Sequence, residues 1–254
     1  MLLVLDVGNS NTVIGLMLGT SVQQTFRVRT KPRTTDEFGL LLVQLLRQFG
    51  YDKSVLTGAI CGSVVPSEVY AMRKACQRYL DLDLLLVGRG LKTGIKVRTD
   101  NPREVGADRI VNAVAAVERW GGPVVIVDFG TATTFDCVNG NGEYVGGAIA
   151  PGLRISEQAL FEQTAKLPRV EVAQPPRAIG TNTKQAMQSG LFFGYAGLVD
   201  SLARRCRDEL GADTRVVATG GLARLVCEEC EYVDEVEPHL TLRGLALLHA
   251  LNTD

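Results

Sequence analysis

The chain has 254 residues, of which 46% are apolar and 22% charged, and its formal net charge is −1. This composition is typical of a folded globular protein and excludes a largely disordered one, which would be poorer in apolar residues and further from neutrality. Without a basic block there is no electrostatic reason to expect a nucleic-acid partner, and no apolar run reaches the roughly 18 residues of a membrane span. We therefore predict no nucleic-acid and no membrane partner.

The cellular compartment is predicted from the first residues and the cysteines. The chain begins directly with the apolar run 2–5, without a basic leader, which predicts a cytoplasmic protein. Its six cysteines are scattered along the sequence, as expected of free thiols in a reducing compartment. Cys227 and Cys230 form a CxxC pair, but no second pair or nearby histidine completes a zinc site, so a structural role is favoured.

The first elements predicted are strands. The apolar run 2–5 has the length of a buried strand and ends in the turn-forming cluster 6–12. The apolar stretches at 13–18 and 22–28 then predict an antiparallel meander.

A helix follows the meander. Thr34 and Glu37 have the spacing of a capping box, apolar residues then recur at intervals of three and four, and Gly50 is placed to end the helix. A strand over 55–61 and a helix opening at Pro66 continue the alternation. Strands interleaved with helices indicate an α/β fold.

The next segment contains two adjacent charges of chemical interest. Asn101 and Pro102 predict the start of a helix, which would place Gly106 inside it at a cost of about 1 kcal/mol relative to alanine. Close approach of a substrate would explain that glycine. Asp108 and Arg109 then offer a general base beside an anion-binding group. On spacing alone, a solvated charge pair on a surface helix is the favoured alternative.

An internal repeat is the most informative feature. The pattern Asp-x-Gly-x-x-x-Thr follows an apolar strand at Asp6 and again at Asp128, about half the chain later. The strand that precedes Asp128 begins at Val124. Matching strand context and half-length spacing make coincidence the less favoured interpretation. We predict a duplicated domain with a cleft between the copies.

The second half continues the α/β pattern. Strands are predicted over 144–149 and 216–218, and helices over about 183–209 and 242–251. Residues 168–180 contain Pro-Pro and predict a loop.

The two repeated loops have the chemistry of phosphate binding. Turn amides and polar side chains can surround phosphate oxygens, and a carboxylate such as Asp6 can hold hydrated Mg²⁺. The second copy supplies Asp128 and three threonine hydroxyls, at 131, 133 and 134. Either loop alone would be taken for an ordinary polar turn, but together they predict a nucleotide triphosphate site. The P-loop motif is absent from the sequence.

Four segments, 6–10, 106–109, 128–133 and 147–152, resemble type III pantothenate kinase in their order and spacing. The resemblance implies the actin-like superfamily of acetate and sugar kinases: an α/β protein of duplicated ribonuclease H-like domains with the active site in the cleft between them. We expect an N-terminal domain over 1–117, with the first phosphate loop and the Gly-Ala-Asp-Arg helix. A C-terminal domain over 118–254 would carry the second loop and the dimerisation helices.

The activity implied is ATP-dependent phosphorylation of pantothenate to 4′-phosphopantothenate, the first step of coenzyme A biosynthesis. Asp108 matches the proton acceptor of the family, and Asp128 matches a ligand of a monovalent cation, K⁺ or NH₄⁺. The loop implied to bind ATP and its Mg²⁺ comprises Asp6, Val7, Gly8, Asn9, Ser10, Asn11, Thr12 and Val13, and Thr131 is a further ATP contact. The residues implied to bind pantothenate are Gly106, Ala107, Asp108, Arg109 and Thr183.

One position departs from the family pattern. Thr99 stands where many members have a tyrosine, so a substrate contact there would differ from theirs. The family is also dimeric, which implies a homodimer with the substrate pocket near the subunit interface.

Two alternatives to pantothenate phosphorylation stay open at this point. A kinase of the same fold could act on another small-molecule acceptor, and a non-catalytic relative could be a regulator like the Bvg accessory factor. A binding-only protein would not need Asp6, Asp108 and Asp128 together, so the three carboxylates favour an enzyme.

Overall fold

The computed structural model describes residues 1–88 and 90–253, which form ten strands and seven α-helices. The strands are β1 Leu2–Val7, β2 Asn11–Leu18, β3 Ser21–Arg29, β4 Gly58–Ser63, β5 Leu84–Leu86, β6 Val124–Phe129, β7 Ala132–Val138, β8 Tyr144–Pro151, β9 Arg215–Gly220 and β10 Glu235–Val236. The helices are α1 Thr35–Gln48, α2 Pro66–Ala75, α3 Ala107–Trp120, α4 Leu153–Glu162, α5 Thr183–Leu210, α6 Ala223–Cys227 and α7 Leu240–Thr253.

The chain divides into two compact units. Unit 1 contains Met1–Ile95, Asn101–Ala115 and His239–Asp254, and unit 2 contains Lys96–Asp100 and Ala116–Pro238. This division differs from the expected boundary at residues 117 and 118 in one main respect: the C-terminal helix α7 packs with the first unit.

Each unit is built on a five-stranded mixed sheet, and the two sheets have the same topology. The order is β3-β2-β1-β4-β5 in one and β8-β7-β6-β9-β10 in the other. In each, the first strand pairs antiparallel with the second and parallel with the fourth. The duplicated α/β architecture predicted from the repeat is therefore present.

Side-chain alternation along β1 explains how unit 1 forms layers. Leu3 and Leu5 are buried on one face of the sheet, in a core shared with α1 and α2. Val4 is buried on the other face, against Leu242 and Leu245 of α7. Because successive strand residues point to opposite faces, the continuous apolar run 2–5 of β1 predicts this sandwiched position.

Helix α1 begins and ends where the sequence predicts. The Thr34 hydroxyl accepts from the backbone N–H of Glu37, and the Glu37 carboxylate accepts from the backbone N–H of Thr34, so the capping box is confirmed. Gly50 follows the helix with φ of 77°, a left-handed conformation that glycine adopts without strain.

Unit 2 has its own core. Val125 and Val127 of β6 pack with Phe135 of β7 and with buried residues of α5, including Leu191 and Val199. The long helix α5 therefore lies along this sheet and carries side chains toward the loops that follow its strands.

One strand begins later than the sequence predicts. Residues 53–55 form a short 3₁₀ turn, capped by Asp52, and the predicted strand begins only at Gly58.

None of the helices in the described part of the chain is long and apolar enough to cross a membrane.

Candidate active site

The first polar loop, Gly8–Ser10, joins β1 to β2 in a tight turn. The backbone N–H of Gly8 donates to the carbonyl of Asn11 at 3.0 Å. A Cβ at Gly8 would lie 3.2 Å from that carbonyl oxygen, so glycine allows the closest approach of the two backbones.

Thr30, directly after β3, holds this loop from one side. Its hydroxyl donates to the Gly8 carbonyl at 2.8 Å, and its backbone N–H donates to the Ser10 carbonyl at 3.0 Å. The Thr12 hydroxyl is fully buried and lies 2.9 Å from that of Thr30. Within the predicted ATP loop, the side chains exposed to solvent are Asn9, Ser10 and Asn11.

Asp6 lies one residue before the end of β1 and is half-buried. It pairs in register with Val13 on β2 and with Gly62 on β4. Burial, and then the negative charge of Asp6, raise the pKa of the Cys61 thiol. The carboxylate is therefore held at the edge of the sheet where β1 and β4 end, while the Val7 side chain is buried in the core.

The donors near Asp6 suit a cation that arrives with phosphates. Within residues 1–88 and 90–253, no group of three or more His, Cys, Asp or Glu side chains could hold a metal ion by itself. Mg²⁺ binds through one or two carboxylates together with phosphate oxygens and water. One half-buried carboxylate beside an exposed polar loop fits that pattern.

The Gly-Ala-Asp-Arg segment lies at the start of α3, and the predicted helix start is wrong. Residues 102–104 form a separate 3₁₀ turn, in which the Asn101 side chain accepts from the N–H of Arg103. Helix α3 begins at Ala107, so Gly106 precedes the helix and its carbonyl accepts the first helical bond, from Ile110.

This start also explains the glycine at residue 106. A Cβ on Gly106 would lie 2.5 Å from Oδ1 of Asp108. Any larger residue would therefore displace the carboxylate.

Asp108 lies in the first turn of α3, where it is half-buried and its Oδ1 accepts from the backbone N–H of Arg109 at 2.9 Å. The N-terminus of a helix favours negative charge, so a carboxylate is well placed at this position. Arg109 is half-buried on the next position. The helix start therefore presents a carboxylate and a guanidinium at adjacent positions.

The second polar loop connects β6 to β7 in unit 2 as the first loop connects β1 to β2 in unit 1. Asp128 pairs with Thr134 and with Thr219 of β9. Thr131 lies at the turn and is exposed, whereas Thr133 is buried.

A carboxylate oxygen and a backbone segment lie close to Gly220. A Cβ on Gly220 would lie 2.7 Å from Oδ1 of Asp128 and 2.7 Å from both the backbone nitrogen and the carbonyl oxygen of Phe129. Gly220 has φ of 95°, so its conformation also favours glycine. A carboxylate and a backbone carbonyl are oxygen donors of the kind that alkali cations take, so the residues fit a monovalent cation.

The remaining predicted substrate residues both lie in unit 2. Thr99 has a buried hydroxyl without a hydrogen-bond partner among the described residues, and its Cγ2 lies 3.9 Å from the Cβ position of Gly146. Thr183 is the exposed first residue of α5, after the helix cap at Asn182, whose side chain accepts from Gln185 at 2.9 Å. A buried unpaired hydroxyl is costly, which suggests a ligand or water partner for Thr99.

Three further residues that contact the loops, Thr30, Gly220 and Tyr195 on α5, are not predicted as site residues from the sequence. Thr30 and Tyr195 act through contacts with residues far away in the chain, which no short motif shows. Gly220 is part of a Thr-Gly-Gly run at the end of a predicted strand, and that run was the available signal.

The cysteines contribute no site to this arrangement. All six are free, and Cys230 donates from Sγ to the carbonyl of Val226 at 3.4 Å. Its hydrogen bond with Cys227 and burial raise the pKa of the Cys227 thiol. The pair thus packs as neighbouring thiols against the unit 2 core.

Two sheets of identical order, each with a carboxylate and a polar turn at the end of its first strand, define the actin-like class of α/β proteins. Solved structures agree with this fold. The chain matches ethanolamine utilization protein EutJ from Carboxydothermus hydrogenoformans with a TM-score of 0.53 and 14% identity, over 97% of this chain and 89% of that one. An activator of 2-hydroxyisocaproyl-CoA dehydratase from Clostridium difficile matches with a TM-score of 0.50 and 14% identity, over 97% and 92%.

Sequence comparison is more specific. The family model for type III pantothenate kinase matches residues 2–205. A type III pantothenate kinase of Anaeromyxobacter sp. is 52% identical over 99% of this chain and 100% of its own length. Another, from Syntrophotalea carbinolica, is 51% identical over 99% of both chains. The chain belongs to the type III pantothenate kinase family.

Proposed function

We propose that this protein transfers the γ-phosphate of ATP to the primary hydroxyl of pantothenate, giving 4′-phosphopantothenate and ADP, the first step of coenzyme A biosynthesis. The observation that carries the proposal is the 52% identity, over 99% of this chain, to a relative described as a type III pantothenate kinase. The fold and the loops of both units are consistent with it.

Asp108 is the proposed proton acceptor. As the pantothenate hydroxyl attacks the γ-phosphorus, its proton passes to the Asp108 carboxylate, the new P–O bond forms and the bond to ADP breaks. The support is local: Asp108 lies in the first turn of α3, and Gly106 leaves room around its Oδ1. Positioning and electrostatics are expected to supply most of the rate in phosphoryl transfer.

Pantothenate is proposed to contact the segment from Gly106 to Arg109, with Thr99 and Thr183. The Arg109 guanidinium suits a carboxylate or a phosphate oxygen. The unpaired, buried hydroxyl of Thr99 supports a role in binding, although many family members have a tyrosine there.

ATP is proposed to bind the loop from Asp6 to Val13 and Thr131. Backbone amides of the tight turn and the exposed side chains of Asn9 and Ser10 provide hydrogen bonds for phosphate oxygens. Asp6 would hold Mg²⁺, which neutralises phosphate charge when bound with ATP.

Asp128, with the carbonyl oxygen of Phe129, is proposed to hold a K⁺ or NH₄⁺ ion. The support is that both oxygens lie close to Gly220. Such an ion would supply positive charge near the phosphates.

We also propose a cytoplasmic homodimer. The six free cysteines are consistent with a reducing compartment. On α4, Ile155, Leu160 and Phe161 are large apolar side chains with 36% or more of their surface exposed, which supports a protein contact. Sedimentation equilibrium at several concentrations tests the dimer, and a monomer at all of them would refute it.

The test of the activity is ADP formation by purified protein with Mg-ATP, with and without pantothenate, in K⁺ and then in Na⁺ buffer. We expect ADP only with pantothenate, and faster in K⁺. In Asp128→Asn the K⁺ advantage should disappear. An advantage that persists unchanged in that variant would contradict the cation assignment but leave the reaction intact.

A further inference from the structure

Tyr195, on helix α5, contacts the second polar loop on both sides of its turn. Its ring lies 6.3 Å from that of Phe129, the last residue of β6, measured between centroids. Its hydroxyl is hydrogen-bonded to Oγ1 of Thr133, near the start of β7. Between these two contacts lie Gly130 and Thr131, which are exposed.

The same hydroxyl also reaches the end of β8. It donates to the carbonyl oxygen of Pro151 at 2.8 Å. The backbone of the following residue, Gly152, lies close to the loop. A Cβ at residue 152 would lie only 2.0 Å from the carbonyl oxygen of Thr131, so only glycine fits there. Tyr195 therefore joins the two backbone segments, around Thr131 and around Gly152, that form the turn and its support.

The protonation state of Tyr195 is fixed by its surroundings. Only 6% of the residue is exposed. Burial raises the pKa of its hydroxyl, against the opposing effect of hydrogen bonds from the Thr133 side chain and the Leu153 backbone. The hydroxyl is therefore neutral near pH 7 and has one proton to donate. Since that proton goes to Pro151, the hydrogen bond with Thr133 is donated by Thr133.

We propose that Tyr195 is a positioning residue for ATP, whose hydroxyl holds the Thr131 turn against Pro151–Gly152 in the form that receives phosphate. This inference rests on the proposed function, because it assumes that Thr131 contacts ATP. Pantothenate is proposed to bind other residues. Loss of the Tyr195 hydroxyl should therefore weaken ATP binding and leave pantothenate binding unchanged. Misplacement of a contact by a fraction of an ångström is enough to cost an enzyme much of its rate.

The test is Tyr195→Phe, which keeps the ring and removes the hydroxyl. We expect kcat/KM for ATP to fall about tenfold or more, while KM for pantothenate stays within about twofold of wild type. Calorimetric titration with Mg-ATP alone should show a weaker Kd. Equal ATP parameters and equal Kd in the variant and the wild type would overturn the proposal.

A matched control is Thr214→Val in the same unit. Thr214 is also buried, and its hydroxyl donates to the Gly211 carbonyl at 2.6 Å, before the start of β9 rather than beside the loop. Thr214→Val should lower the free energy of unfolding and leave kcat/KM and Kd for ATP unchanged. An equal loss of ATP affinity in this control would assign the effect to general destabilisation and overturn the proposal.

Thr133 gives a second route if Tyr195→Phe does not fold. Thr133→Ser keeps a hydroxyl and should retain ATP affinity, whereas Thr133→Val should lose it. Equal affinity in the two variants would refute the proposed network. If wild-type protein binds ATP but forms no pantothenate-dependent ADP, the proposed function fails. The ATP titrations then still decide the role of Tyr195.

Discussion

A side chain at residue 106 would compete for space with the carboxylate of Asp108. The Gly106 backbone has no left-handed φ, so alanine can adopt it, and the clash is with a side-chain atom 2.5 Å away. Gly106→Ala should therefore change the free energy of unfolding by about 1 kcal/mol or less. It should lower kcat/KM for pantothenate about tenfold, because the carboxylate must move. Urea denaturation and steady-state kinetics measure the two effects.

Gly190→Ala is the control for that change. Gly190 lies within α5 with open space around its Cβ position, so alanine should stabilise the helix by about 0.5–1 kcal/mol and leave the kinetics unchanged. Normal kinetics in Gly106→Ala would show that the position of Asp108 does not depend on this glycine.

Asp108→Asn tests the base directly. The amide keeps the shape of the side chain but cannot accept the proton, so we expect a normal fold and a fall in kcat of about 100-fold or more. Glu104→Gln, an exposed carboxyl four residues earlier, should retain full activity. Turnover of Asp108→Asn close to wild type, with an unchanged circular dichroism spectrum, would remove the assignment.

At the scale of single residues, the sequence predicts which chemical groups lie in the loops. It predicts less well which other side chains those groups contact. Carboxylates at Asp6 and Asp128 are predictable because each follows an apolar strand in the same pattern. Thr12 is buried against Thr30 because β2 pairs with β3. The hydrogen-bond partners of Tyr195 lie 44 and 62 residues away in the chain. Such contacts are set by tertiary packing and have no local signature.

The capping box of α1 gives a prediction at the scale of one element. Thr34→Ala removes the side-chain acceptor for the N–H of Glu37, which should cost about 1 kcal/mol in the free energy of unfolding and leave activity unchanged. Urea denaturation of both proteins measures the difference. No difference would mean that water replaces the cap without cost.

The cost of Thr34→Ala should also depend on pH. Hydrogen bonds from the Thr34 backbone and side chain lower the pKa of Glu37 below its ordinary value of 4.5. A lowered pKa in the folded state means that ionised Glu37 stabilises the fold above pH 4.5, and that this contribution is lost as the pH falls through the lowered pKa. The difference between the two proteins should therefore shrink in acid. Alanine keeps the backbone donor, so a constant difference down to acid pH would contradict only the hydrogen bond from the Thr34 hydroxyl to the Glu37 carboxylate.

Elements with both a periodic pattern and end signals were predictable, as α1 and the helix opening at Pro66 illustrate. The start of α3 was not, because Asn101 and Pro102 are as suitable for a 3₁₀ turn as for a helix. The strand predicted over 55–61 began later for a related reason: Asp52 caps a turn over 53–55, and its apolar Val55 resembles a strand residue.

The packing of the whole molecule predicts which cysteines react. Cys61 and Cys76 are buried, and burial raises the pKa of Cys76 to about 12. Cys206 is half-buried, and a hydrogen bond from Cys137 lowers its pKa. Iodoacetamide at pH 8 should therefore modify Cys206 well before Cys61 and Cys76, as measured by peptide mass spectrometry. Equal rates in native protein would contradict the packed core.

The duplication of the whole molecule was predictable because both halves of the sequence keep the apolar strand and the acidic turn. The grouping of α7 with the first unit was not, since residues 239–254 come last in the chain and pack on strands that come first. Helix α7 can approach α3 closely because residue 244 is glycine. A Cβ on Gly244 would lie only 2.1 Å from the carbonyl oxygen of Val111.

This actin-like protein is proposed to phosphorylate pantothenate. The most direct test is ADP release from Mg-ATP by purified wild-type protein in K⁺ buffer, with and without pantothenate, and with mass spectrometry of the product. We expect ADP and 4′-phosphopantothenate to form in equal amounts, and no ADP without pantothenate. Folded, ATP-binding protein that forms no phosphopantothenate would contradict it and leave another acceptor or a regulatory role.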